Sequence, residues 1–202
     1  RQRQMCIRDS LYLVIWQLLF LVVFLAAIFN CNHSKKTKAL ALSLGIPALI
    51  TQWINLFIPS RELTLIFLFL TIAFIFITTE SIVRRVVINA RVKVETLRGV
   101  ICAYLMVAFG FSFTYFLIET LIPGSFKISE VQAAVLTHSH LLAEMIYFSF
   151  VTLLCIGYGD VLAMHDVAQT FSIIEGIIGQ FYIAILVARL VAVYSFFEHK
   201  LH

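Results

Sequence analysis

The stretch "YFSFVTLLCIGYGDV", Tyr147–Val161, sets two glycines around a tyrosine and closes on a carboxylate, inside a chain that is otherwise strongly apolar. Gly157 and Gly159 can take a positive φ that residues with a Cβ resist. Alternating those conformations with ordinary ones at Ile156 and Tyr158 turns successive carbonyls to the same side of the backbone. Before the glycines, "HLLAEMIYFSFVTLL" is helical in pattern but too short to cross a bilayer. Irregular backbone after a short apolar helix is stable at membrane depth only where it is buried in protein or lines a water-filled path. The surroundings of the stretch therefore decide its meaning.

Those surroundings are membrane spans. Of 202 residues, 61% are hydrophobic and only 13% charged, where a soluble domain carries about 25% charge. No charge falls in Ser10–His33, Ala39–Ser60, Leu63–Thr79 or Gly99–Ile118, and Glu175 alone interrupts Val167–Ala188. At ~1.5 Å per residue each is about long enough to cross a ~30 Å hydrocarbon core. The chain has almost no polar faces with which to cover such helices in water. The expectation is an all-α membrane protein with five transmembrane helices, a lipid bilayer around it, and a re-entrant segment between the last two spans.

Lys and Arg orient it. "HSKKTK" (33–38) and "RRVVINARVKVETLR" (84–98) are basic, whereas the connection at Pro59–Ser60 has one arginine beside a glutamate and Glu119–His140 has a single lysine. Basic loops stay cytosolic, so Leu121–Leu142 is expected outside and "FFEHKLH" (196–202) inside. The net charge of +4 is thus a topology signal and does not point to nucleic acid. This orientation leaves the first span starting outside. Arg1–Ser10 reads as a non-native segment, and a sixth span upstream would bring both ends inside. The chain divides into 1–10, a non-native segment; 11–96, plain spans with cytosolic basic loops; 97–194, a pore domain; and 195–202, a short cytosolic tail. Cys6, Cys31, Cys102 and Cys155 include no C-x-x-C pair, and no disulfide is expected.

Four strands of the Gly157–Gly159 kind around one axis stack rings of oxygens that can replace an ion's water shell. "TLLCIGYGD" resembles the potassium-channel filter, a threonine-rich run ending in T-[VI]-G-Y-G-D. The resemblance implies a passive potassium-selective channel. Its coordinating carbonyls come from Cys155, Ile156, Gly157 and Tyr158, with Gly159 and Asp160 completing the filter. It also implies support from Thr152 and from Tyr147 and Phe148 as an aromatic cuff, and K⁺ as the permeant ion without any cofactor. One filter per chain implies a homotetramer. The pore helix, about Leu141–Leu153, then aims its negative C-terminal end at a central cavity. Over roughly Thr37–Val193 the chain is also similar to small bacterial channels in which a two-helix pore follows plain spans, which implies a bacterial inner membrane. At the position of the family's threonine, Cys155 keeps the carbonyl but offers a soft thiol that suits K⁺ poorly.

The remaining candidates are weighed one by one. Voltage sensing needs arginines every third residue within a span, and Leu63–Val83 has none; Glu80 there reads as interfacial. Glu175, about nine residues into the last span, either bonds behind the pore helix or lines the cavity, or stands protonated against a hydroxyl. Gly179 lies where an inner-helix hinge belongs, and Gly176 reads as a packing glycine, since glycine inside a helix costs ~1 kcal/mol. His138, His140 and His165 read as solvated, the alternative being a pH or metal site. No H-E-x-x-H, carboxylate pair or G-x-S-x-G appears, so neither an enzyme nor a small-molecule substrate is expected.

Overall fold

The computed structural model describes residues 35–57, 60–88, 94–128 and 138–198. Within them the elements run α1 (Lys35–Phe57), α2 (Arg61–Ile88), α3 (Val94–Leu121), β1 (Phe126–Ile128), α4 (His138–Leu153), β2 (Val161–Ala163) and α5 (Asp166–Glu198). The architecture is an all-α membrane fold with one small ribbon added. The expected span Ser10–His33, with Cys6 and Cys31, lies outside the described residues.

Among the described residues, three helices are long and apolar enough to cross a membrane: Arg61–Arg84, Gly99–Leu121 and Asp166–Ala188. The expected span Ala39–Ser60 has a shorter apolar stretch, Ala39–Asn55. Three lysines occupy the first turn of its helix, and Thr51, Gln52 and Asn55 make its far end polar. Asn55 is used there: its side chain accepts from Ser60 N–H at 3.1 Å and donates to Thr64 at 3.0 Å. Ser60 then caps α2, its Oγ accepting from Leu63 N–H at 3.3 Å. Arg61 donates to the Thr120 carbonyl at 3.3 Å, so the start of α2 and the end of α3 share one side of the bundle. At the opposite end of α2, Glu80 is half exposed and pairs with Arg84 at 2.9 Å, as an interfacial residue does.

Lipid is as apolar as leucine, so packing and hydrogen bonds hold these helices together. Ala41, Gly45 and Ala48 form a buried stripe of small residues on α1, and small side chains let two backbones approach. Between α2 and α3 the core holds Leu68, Phe74, Ile75, Met106 and Phe113. Phe67 meets Phe113 edge-on at 6.1 Å. Gly110 faces the Ile75 side chain so closely that a Cβ there would lie 3.2 Å from it.

The ribbon was not anticipated from the all-helical pattern. β1 and β2 run antiparallel, with Phe126 opposite Ala163 and Ile128 opposite Val161. Glu119, in the last turn of α3, accepts from the N–H groups of Gly124 at 2.8 Å and Phe126 at 3.0 Å. It thereby fixes the turn that delivers β1. Phe126 joins Tyr115 of α3 and Phe148 of α4 in a triangle of edge-on rings 5.2–5.4 Å apart. That triangle ties α3, the ribbon and α4 into one body.

Candidate functional site

α4 spans His138–Leu153, slightly longer than the expected Leu141–Leu153, and the glycine-rich segment leaves from its end. The exit is a Schellman cap. Cys155 N–H bonds to the Thr152 carbonyl at 2.9 Å and Ile156 N–H reaches back to the Val151 carbonyl at 2.9 Å. This pair of bonds requires a left-handed residue at Cys155, and its φ is +54°. Glycine usually fills that place because a Cβ there costs roughly 1–2 kcal/mol. Thr152 contributes its carbonyl to the cap. The cysteine is therefore a conformational element as well as a chemical one.

Gly157 and Gly159 follow with φ of +63° and +80°. Left-handed residues thus alternate with Ile156 and Tyr158 from Cys155 to Gly159, one step earlier than the glycines alone suggested. The whole run Leu154–Asp160 is exposed on the single subunit, Ile156 at 47% and Tyr158 at 68%.

One strut crosses from α4 to the far end of this run. The Tyr147 hydroxyl donates to Asp160 Oδ2 at 2.6 Å, and the Tyr147 ring stacks on Tyr158 with centroids 6.4 Å apart and planes 6° apart. Asp160 Oδ1 also accepts from Val161 N–H at 3.1 Å. Donation from Tyr147 holds the Asp160 carboxyl below its ordinary pKa, and the same bond pushes the Tyr147 hydroxyl up to about 12. Phe148 parts company with Tyr147. Adjacent helical residues point about 100° apart, and Phe148 is buried in the triangle with Tyr115 and Phe126. The expected two-residue cuff becomes one residue that braces the segment and one that anchors α4.

On its other face α4 meets α5 and α3. Glu175 is fully buried. Its carboxyl is hydrogen-bonded to Ser149 of α4 and accepts from the Tyr115 hydroxyl of α3 at 2.6 Å. It therefore lies behind α4, and the cavity-lining alternative does not hold. One turn further along α5, a Cβ on Gly179 would lie 2.3 Å from the Leu153 carbonyl oxygen, whereas one on Gly176 would meet nothing within 4 Å. Within the subunit, the packing expected of Gly176 is supplied by Gly179. Leu153 O also accepts from Tyr104 of α3 at 3.2 Å, and Tyr182 of α5 bonds to the Val100 carbonyl.

The other expected residues lie apart from this assembly. His165 is exposed, and its Nδ1 accepts from Val167 N–H at 3.2 Å at the start of α5. Cys102 is half-buried and Cys155 exposed, and neither is in a disulfide. The residues that sequence reasoning missed are Tyr104, Tyr115, Ser149 and Glu119. The available signal was a hydroxyl or carboxylate placed in an otherwise apolar helix.

Residues 105–195 match the family model described as an ion channel. No curated protein and no solved structure matches the chain. The matched residues run from the middle of α3 through α4 and the glycine-rich segment into α5. The chain is an integral membrane protein, and over these residues it is similar to the ion-channel family.

Proposed function

We propose that the chain is a passive, potassium-selective channel whose pore is a homotetramer. The observation that carries this reading is the alternation of left-handed residues at Cys155, Gly157 and Gly159 in an exposed run just after a short apolar helix. Such alternation directs the carbonyls of Cys155, Ile156, Gly157 and Tyr158 toward one axis, and carbonyl rings are the means by which K⁺ sheds its water. In this reading α4 is the pore helix, α3 the outer helix and α5 the inner helix, with Tyr147 and Asp160 bracing the filter.

The tetramer rests on what a single subunit leaves uncovered. Only 11% of an 18-residue apolar window within Asp166–Ala188 is buried within the subunit, against 44% of the corresponding window in Gly99–Leu121. Ile173, Ile177, Phe181 and Ile185 stand exposed along α5, on the element that follows the filter. Three further copies would cover that face and close the rings. The membrane is a bacterial plasma membrane with the C-terminus cytosolic, as the basic segments around Lys35–Lys38 and Arg84–Arg98 direct. α2 carries no arginine between Arg61 and Arg84, so opening is not driven by voltage, and no catalytic step is involved.

Purified protein in planar bilayers with opposed K⁺ and Na⁺ gradients tests the reading. A reversal potential near that of K⁺, with no steep voltage dependence, is the expected result. A reversal near zero identifies a weakly selective cation channel instead. The absence of current from verified tetramers identifies an accessory protein on a channel scaffold.

A further inference from the structure

Glu175 lies nine residues, or about 13 Å, into α5. No cationic side chain among the described residues pairs with it. A lone buried carboxylate is among the costliest groups to hold in a membrane, and the surrounding oxygens show how the cost is avoided. Four oxygen–oxygen contacts from hydroxyls converge on Glu175 and on the Ala108 carbonyl beside it. Ser112 and Ser149 each approach the Ala108 carbonyl at 2.7 Å. Tyr115 approaches Glu175 Oε2 at 2.6 Å, and Ser149 approaches Glu175 Oε1.

Each contact needs one proton, and a carbonyl oxygen has none to give. Ser112 and Ser149 therefore spend their single protons on Ala108, and Tyr115 spends its own on Oε2. The contact between Ser149 and Oε1 has no proton left unless the carboxyl brings it. With an ionised Glu175, two lone pairs would face each other at hydrogen-bonding distance in a site closed to water.

We propose that Glu175 is a neutral carboxylic acid that donates to Ser149, and that this proton latches the inner helix to the pore helix and the outer helix. The register supports the role. Glu175 and Gly179 are one turn apart on α5 and face Ser149 and Leu153, one turn apart on α4. The polar latch and the glycine contact together fix how far the pore helix slides along the inner helix, and the filter begins two residues on, at Cys155. Glu175 acts through the pore helix and is a positioning residue.

The titratable groups facing it are few. From α3 they are Tyr115, in contact, and Tyr104, whose hydroxyl is on the Leu153 carbonyl. From α4 the facing group is the Ser149 hydroxyl, and from α5 the Ser172 hydroxyl, one turn before Glu175, is hydrogen-bonded to Tyr115. The part of α5 within one turn on either side has no other carboxyl, amine, imidazole, thiol or phenol. Loss of the carboxyl proton in alkali leaves the Ser149 contact unfilled and releases the latch.

The proton count stands independently of the channel reading; only its effect on current rests on that reading. Two measurements on the reconstituted full chain keep them separate. The infrared difference spectrum of wild type minus Glu175→Gln at neutral pH should show the carbonyl band of a protonated carboxylic acid. In bilayers, wild-type current should fall as pH rises, Glu175→Gln should keep its current and lose that fall, and Glu175→Ala should lose stable conduction. Glutamine succeeds because its amide donates to Ser149 and accepts from Tyr115. A carboxylate band with no acid band overturns the proposal. So does a Glu175→Gln channel that fails as the alanine variant does, or one that keeps the wild-type alkaline profile. An acid band in a protein that passes no current upholds the neutral carboxyl and overturns the channel reading instead.

Discussion

Replacing Gly179 by alanine separates two roles for a glycine in the inner helix. A methyl at this position would stand 2.3 Å from the Leu153 carbonyl oxygen and 3.2 Å from its carbon. The obstacle is backbone at the end of the pore helix, so no side chain can swing aside. The carbonyl must retreat until at least 3.0 Å separates them, which also stretches the Tyr104 bond to the same oxygen. Overpacking of this kind costs roughly 1–3 kcal/mol, and alanine returns about 1 kcal/mol of helix propensity. The net expectation is a loss of up to about 2 kcal/mol per subunit. Gly176→Ala meets open space within the subunit and should be neutral or stabilising there. The assay is thermal dissociation of the detergent-solubilised assembly, paired with single-channel recording. Gly179→Ala should dissociate at lower temperature and lose selectivity, because the filter starts two residues beyond the displaced carbonyl. A Gly179→Ala channel with wild-type stability and selectivity but briefer openings would refute the packing argument and establish the hinge.

Three further outcomes are expected. Gly157→Ala forces a Cβ into a φ of +63°, at roughly 1–2 kcal/mol per subunit, and should abolish K⁺ selectivity while the assembly persists on size-exclusion chromatography; unchanged selectivity would remove the filter assignment. The Tyr147–Asp160 strut needs an ionised acceptor whose pKa lies below the ordinary carboxylate range, and a donor that keeps its proton up to about pH 12. Its contribution is therefore present above the normal carboxylate pKa of about 3.9 and is lost as external pH falls through the lowered value. On the acid side, wild-type current should stay flat from neutrality down to about pH 5 and collapse only in strong acid, whereas Tyr147→Phe should inactivate at neutral pH; identical acid-side records from the two would show the strut to be idle. Cys155→Thr keeps the carbonyl, exchanges the thiol for a hydroxyl and places a β-branched residue at φ +54°. Conductance and sensitivity to cytosolic thiol-reactive silver should change while K⁺ selectivity persists, and a variant as silver-sensitive as wild type would show that the thiol lies away from the ion path.

The spans were legible because lipid leaves a helix no alternative to a long uncharged run, and Gly99–Leu121 and Asp166–Ala188 answer to that requirement. Gly157 and Gly159 were legible because positive φ selects against a Cβ, and α4 because its apolar run stops short of a crossing. The division between Tyr147 and Phe148 was not, since two adjacent aromatics read as a pair until the helix turns them 100° apart. Three-residue strands are too short to leave a periodic trace, so the ribbon that holds the exit of the glycine segment stayed hidden. The left-handed turn at Cys155 was hidden for a different reason: its cause is a pair of hydrogen bonds back into α4, and no residue type announces them.

By itself the sequence determined that the protein lies in a membrane and where its backbone departs from helix. Those are properties of single segments against a solvent, and hydrophobicity, charge and the freedom of glycine act on each segment alone. Only the tertiary structure decided what Glu175 and Gly179 do. Glu175 takes its meaning from Ser149, 26 residues away, and Tyr115, 60 residues away, and Gly179 takes its own from a carbonyl on another helix. A buried proton and a close backbone approach are relations between segments, and they exist only once the helices have packed.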